Sequence, residues 1–510
     1  MLGYDELTVA ERRVWDAFPT GAVVDLAASS PVSVTEGAGW GPERTVRAEL
    51  LAGLLLGGRS PVPGAIAALR LTGARITGRL DLAGARLEHE LALTACRFEE
   101  QVSLRGAALR STSMHSCRLP GLDGWLLNLD GNLFFEDSVI DGRLTLTRAH
   151  ITGELRLSGV RLTATELLNT PDPGPETDRS PDAACADGVW ALWAGGMVLD
   201  GGCFARKGFR SRGGLRLVGA QFNGGLFMEG ARIDNPGGDA LGGDDLSAST
   251  MVLADGFSTD GAIRLPGAGV RSLLSLDGAV LAGTGAALAA PRLRAGELRF
   301  TPAGAPRGSV DLQEAQLAVL CDHRLSWPPG TRLDGLTYTS LQSTAPAPLA
   351  RRLDWLAGLP EYAPQPYEQL AAWYRKSGED DAARRVLLAK QRRRRRTLHP
   401  LGRAWGRVLD ATVGYGYRPW QAGLWLIALT ALGTAVFSTG TPAPAQAEPG
   451  APFSAVIYTL DLLLPIGGFG QRTAWYWTGA QQWFGYGLIA AGWLLTTALL
   501  AGVSRSLNRQ

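Results

Sequence analysis

LRLTGARITGRLDLAGARL, residues 69–87, carries one short pattern twice. Leu69, Leu71, Ala74 and Ile76 stand at apolar-x-apolar-x-x-small-x-apolar spacing, and Leu80, Leu82, Ala85 and Leu87 repeat it eleven residues later. Outward from there it continues at Leu91, Leu93, Cys96 and Phe98, then at Val102, Leu104, Ala107 and Leu109. After a looser middle it returns at Leu133 to Ile140, Leu144 to Ile151 and Leu155 to Leu162. A fixed period held this long marks a repeat architecture. Apolar residues two apart fit the alternation of a strand. The steps of six and five from Ile76 through Leu82, Leu87, Leu93, Phe98 and Leu104 to Leu109 give no helical stripe. Short strand, corner, short strand, corner is the path of a β-solenoid with about four faces and ~22 residues per coil, its apolar columns stacked from coil to coil. Gly73, Gly78, Gly84, Gly106, Gly142, Gly153 and Gly159 suit the corners. The predicted fold is mainly β, a right-handed β-helix.

The pattern resumes at Leu215 to Phe222, Leu226 to Ile233, Ile263 to Val270, Leu274 to Leu281 and Val310 to Leu317, which places the solenoid over residues 65–340. Two stretches interrupt it. The Pro/Asp-rich Pro171–Asp187 and the Gly/Asp-rich Asn235–Ala248 read as surface loops. With one inward residue about every five, the coils resemble pentapeptide-repeat β-helices, although the alternating six-residue step and the absence of a regular Ala-Asp/Asn-Leu signature depart from them. Arg75, Arg86, Arg97, Arg118 and Arg161 alternate outward among acids, which predicts a solvated face and no nucleic-acid partner.

Residues 1–64 read as a helical cap on the open solenoid end, with helices over Leu7 to Phe18 and Thr45 to Leu56. Residues 345–410 read as a helical hairpin with a basic linker. Its core, YEQLAAWYRKSGEDDAARRVLLAKQ (367–391), resembles a single tetratricopeptide-like unit, and its aromatic stripe (Tyr367, Trp373, Tyr374) reads as packing.

Residues 411–510 read as a membrane domain. Two uncharged apolar segments, 420–437 and 484–503, have spanning length. Arg392, Arg393, Arg394, Arg395, Arg396, Arg403 and Arg407 precede the first; Arg505 and Arg509 follow the second. That distribution puts both termini in the cytoplasm of a multi-pass protein. Tyr415, Tyr417, Trp420, Trp475, Trp477 and Trp483 suit the interfaces. The run Arg392–Arg396 is expected to hold anionic lipid headgroups, each charge contributing about 1 kcal/mol.

Between the spans, the segment 453–471 is apolar, too short to cross, and ends in Gly467-Gly468-Phe469-Gly470. Helix, short apolar helix, Gly-aromatic-Gly turn, helix is the layout of a pore-loop channel subunit, and YTLDLLLPIGGFG resembles a potassium-channel pore helix and filter. That resemblance implies Thr459, Asp461, Gly467, Gly468, Phe469 and Gly470 as pore residues and a homo-oligomer, a tetramer. Pro465 and Ile466 stand where the filter's Thr-Val would be, and Gln471 where an acid is common. An interfacial helix ending in a Gly-rich turn fits the same residues.

Catalytic chemistry is hard to find. The five cysteines (Cys96, Cys117, Cys185, Cys203, Cys321) form no CxxC, and the five histidines show no paired ligand spacing. No P-loop, GxSxG or dinucleotide fingerprint occurs. No cofactor, metal or catalytic residue is therefore expected. GWGPERTVRAELLAGLLLG, RLTGARITGRLDLAGARL, YEQLAAWYR and YTLDLLLPI together resemble actinobacterial membrane proteins with a cytoplasmic β-solenoid and two C-terminal spans. The resemblance implies a bacterial cell membrane and carries the label membrane-associated oxidoreductase, for which the sequence offers no redox residue. Two function classes lead: a membrane-tethered scaffold or sensor for a cytoplasmic protein partner, and an oligomeric channel gated by the solenoid; a membrane-associated oxidoreductase, as the resemblance implies, stays a distant third.

Overall fold

Leu69 stands beside Leu91 in a parallel ladder, and Leu91 beside Thr112, so one circuit of the chain takes 22 and then 21 residues. Two consecutive copies of the sequence pattern therefore make one coil. The computed structural model describes residues 3–27, 39–164, 189–344, 348–413, 420–445, 452–464 and 468–507. The predicted loop Pro171–Asp187, Cys185, Tyr415, Tyr417 and Gly467 lie outside them. The chain forms two compact units, Met1–Glu361 and Tyr362–Gln510.

The first unit is a β-solenoid of about 11 turns over residues 68–343. Its strands join two ladders, of 17 and 16 strands, with parallel pairing throughout. Side chains alternate in and out, so Leu71, Leu82, Leu93, Leu104, Leu122 and Leu146 all lie in the core at 1% exposure or less. Burying each such leucine contributes about 1.5–3 kcal/mol.

Corners fall in columns too. Gly73, Ala95, Ser116, Asp137 and Gly159 share one corner in successive coils, and all have φ between 50° and 72°. Gly84, Gly106, Leu126, Arg148 and Gly196 share another, again left-handed. Glycine fills only part of each column. Gly142 and Gly153, expected as left-handed corners, do not have positive φ. Gly153 is needed for closeness: a Cβ there would lie 2.4 Å from the Gly131 carbonyl oxygen, and one at Gly201 would lie 2.2 Å from that of Gly153.

Leu144 pairs with Leu192, 48 residues on, where a coil usually takes about 22. On either side of residues 165–188, the Ala164 amide donates to the Arg212 carbonyl and the Val189 carbonyl accepts the Gly214 amide. Asn235–Ala248, expected as a second loop, is corrected: Arg232–Gly242 is a strand. Its ladder slips between Asp234 and Asp239 opposite Asp260 and Ala262, so only the residues between them bulge. Leu241 and Leu246 keep their core positions, and the Asn235 amide donates to the Asp239 carbonyl. A three-residue excess is absorbed as a bulge because both flanks still have apolar residues to bury.

The N-terminal segment is less helical than expected. Helix α1 (Val9–Ala17) is capped by Thr8, whose hydroxyl accepts from the Glu11 amide. Thr45–Arg47, predicted helical, is instead a strand on Arg75–Thr77, and Val23–Asp25 pairs with Arg70–Thr72. The first coil's open edges supply unpaired N–H and C=O groups, and β-branched Thr45 and Val46 answer them. Helix α2 (Ala48–Gly53) follows. At the other end helix α3 (Leu349–Ala357) belongs to this unit, not to the hairpin grouped with it from sequence.

The second unit begins with the hairpin α4 (Gln365–Lys376) and α5 (Asp380–Arg396), turned at Gly378, with Lys390 bonded to Glu368 across it. Tyr367 and Tyr374 are buried in it as packing residues. Helix α6 (Pro400–Val413), α7 (Trp420–Phe437), α8 (Ala455–Leu463), α9 (Gln471–Ala474) and α10 (Ala480–Leu507) follow. Among the described residues α7 alone is both long and apolar enough to cross a membrane.

Candidate functional site

The segment singled out as a pore loop is built as a wedge. Helix α8 packs against both α7 and α10 within the second unit. Two glycines admit it: a Cβ at Gly433 of α7 would lie 2.3 Å from the Thr459 methyl, and one at Gly492 of α10 would lie 2.1 Å from the Leu463 carbonyl oxygen. Phe437, Tyr458, Leu462, Leu463, Trp477 and Leu488 form the buried cluster around it. The Phe437 and Tyr458 rings meet edge to face at 4.9 Å.

Asp461 lies fully buried on α8. One carboxylate oxygen accepts the Phe469 amide at 3.0 Å and the other the Arg472 amide at 2.9 Å. Gln471 closes the other end of the same turn. Its side-chain nitrogen donates to the Pro452 carbonyl, and its oxygen accepts the Ser454 amide. The acid and the glutamine thus tie the turn to the start and the end of α8. Thr459 spends its hydroxyl on the Ala455 carbonyl of its own helix. Gly468, Phe469 and Gly470 are exposed at the tip, and Gly470 takes φ +75°. Asp461, Gly468, Phe469 and Gly470 therefore come together, while Thr459 faces α7.

The basic run divides. Arg392 and Arg395 both bond Asp410 of α6, at 3.0 and 3.1 Å. Arg394 and Arg396 are exposed at the end of α5, where the helix dipole favours positive charge. Arg393 is half-buried. Two of the five cations thus serve the α5–α6 contact.

Elsewhere Cys96, Cys117, Cys203 and Cys321 are buried free thiols that fill the core. Burial pushes Cys117 well above the ordinary thiol range and Cys203 up to about 12. Among the described residues no three His, Cys, Asp or Glu side chains gather as metal ligands.

The sequence did not reveal a cleft of about 790 Å³ at the C-terminal end of the solenoid, between its last coils and α3. Asp322 ends a strand of the last ladder, and Arg352 of α3 forms a bidentate pair with it, one bond at 2.8 Å. Asp322 also accepts the Trp327 indole N–H at 2.8 Å. Trp327 stacks on Trp355 of α3 with centroids 4.9 Å apart, and Phe300 flanks it. The Trp355 N–H is buried with no acceptor among the described residues, an arrangement that costs about 1–3 kcal/mol. The only sequence signal was WPPG (327–330), a tryptophan and two prolines where the repeat stops.

Searches of protein-family models, curated proteins and solved structures find no match to this chain.

Proposed function

We propose that the protein is a membrane-anchored scaffold or sensor, its β-solenoid presenting an extended surface to a cytoplasmic protein partner. One observation carries the anchoring: α7 leaves Leu424, Trp425, Ile427 and Leu432 exposed at 45–68% while the same unit has its own buried core. Apolar surface of that kind on one helix calls for lipid as its solvent. Helix α10, 28 residues and thus about 42 Å long, is the proposed second span. Exposed Trp483, Tyr486 and Trp493 support that reading. Both termini then lie in the cytoplasm of a bacterial cell, with Arg394 and Arg396 on anionic lipid. Carbonate extraction of membranes, with terminal reporter fusions, tests this. The protein should stay in the pellet with both termini inside; release into the supernatant refutes the anchor.

A second reading, a tetrameric channel gated by the solenoid, is favoured by the wedge α8 and the tethered exposed turn Gly468–Gly470. It requires that the detergent-purified protein be a tetramer by light scattering and that Gly468→Val abolish ion flux in vesicles. A monomer or dimer sinks it and leaves the scaffold standing.

A further inference from the structure

We infer that the cleft between the last coils and α3 is a binding site for a small organic anion with a flat apolar body. Its size is that of a small-molecule site, since such sites run to roughly 300–1,000 Å³. Its walls divide by chemistry. Trp327, Trp355, Pro328, Pro329 and Leu359 supply flat and apolar surface. Arg324 and Arg351 line the same cleft, are exposed, and make no ion pair among the described residues. Arg352 is already neutralised by Asp322, so these two guanidiniums face only Asp354 as a lining acid that is not itself paired. The cleft therefore holds an excess of positive charge, with His323 beside it.

The two tryptophans are held unequally. Trp327 is fixed by its bond to Asp322. Trp355 is held by stacking and by the Arg352 guanidinium over its ring at 5.6 Å, and its N–H stays unspent. An aromatic ring can extend the stack, and a carboxylate or phosphate oxygen can take the arginine fork. A neutral or cationic analogue would leave both arginines unanswered, so charge, more than shape, sets the selectivity. Carboxylates and phosphate esters share this chemistry and are separated by experiment.

The test is calorimetric titration of the full chain in detergent with indole-3-acetate, with AMP as the phosphate arm and tryptamine as the cationic control. Saturable binding of at least one anion is expected with Kd below about 1 mM, and none of tryptamine. Arg324→Gln with Arg351→Gln should weaken the bound anion at least about tenfold, as should Trp355→Leu. Each variant is checked for an unchanged β signal in circular dichroism, since the three residues lie at the rim and on α3, outside the ladders. The inference is overturned if neither anion saturates, if tryptamine binds as well as the anions, or if the folded double arginine variant binds unchanged.

Discussion

Replacing Arg352 by Met leaves Asp322, 1% exposed, as a buried carboxylate whose remaining side-chain partner is the Trp327 indole N–H. Breaking a buried pair from one side costs about 3–5 kcal/mol, because the surviving charge is desolvated and unanswered. That energy need not unfold the solenoid. Helix α3 has nine residues, too few to persist alone in water, so the cheaper response is for α3 to detach and admit solvent to Asp322. Limited proteolysis of the full chain, read by mass spectrometry over residues 348–361, measures that opening. When closing outpaces cleavage, the rate follows the open population and should rise by about two to nearly four decades. Asp322→Asn alone leaves Arg352 buried at 7% exposure without its counter-charge and should also accelerate cleavage. The double variant Asp322→Asn/Arg352→Met removes both charges while Asn keeps an acceptor for Trp327. It should recover most of the loss, with a coupling above about 1.5 kcal/mol. If Arg352→Met changes cleavage less than about fivefold, or if the double variant loses the sum of the singles, the pair is not what seats α3.

Leu126 sits at a left-handed corner with φ 54° and is 41% exposed, so Leu126→Gly should raise stability by about 0.5–1 kcal/mol, read by thermal melting of the β signal. Gly106 shares that corner with open space around it, so Gly106→Val isolates backbone strain and should cost about 1–2 kcal/mol. Gly492→Val drives a Cβ into the Leu463 carbonyl and should abolish the α8–α10 packing, seen as loss of monodisperse protein in detergent, whereas Gly487→Ala on the same helix meets nothing within 4 Å and should be tolerated. Burial raises the Glu11 pKa, but hydrogen bonds from Arg47 and Thr8 and the Arg47 charge outweigh it, so the net pKa is lowered. A depressed carboxylate stabilises above its unfolded value of 4.5 and loses that contribution as pH falls through the folded value. Hydrogen-exchange protection factors at α1, corrected for the intrinsic pH dependence of amide exchange, should therefore fall below about pH 4.5 in the native chain, and Glu11→Gln should flatten that dependence.

The sequence by itself determined the solenoid, because strand alternation and an eleven-residue period are local properties that each copy states again. Leu69, Leu80 and Leu91 carry the coil length between them, and the first and third meet in the ladder. Pattern could not tell an ejected loop from a bulge at Asn235–Gly238, since Gly and Asp serve both, and only the register opposite Asp260 and Ala262 decided it. Corners were half legible: glycine marks a left-handed position cheaply, but Ala95, Leu126 and Arg148 are held there by the coils on either side. Thr45–Arg47 became a strand because the first coil had an edge to fill, a tertiary demand that helix propensity does not contain. In the C-terminal unit the sequence marked Asp461 and the glycine turn, while the tertiary structure showed that the acid grips two backbone amides. The cleft was invisible in sequence for the same reason that it exists. Asp322 and Arg352 are 30 residues apart, belong to no repeat, and acquire a shared purpose only when α3 folds back over the last coil.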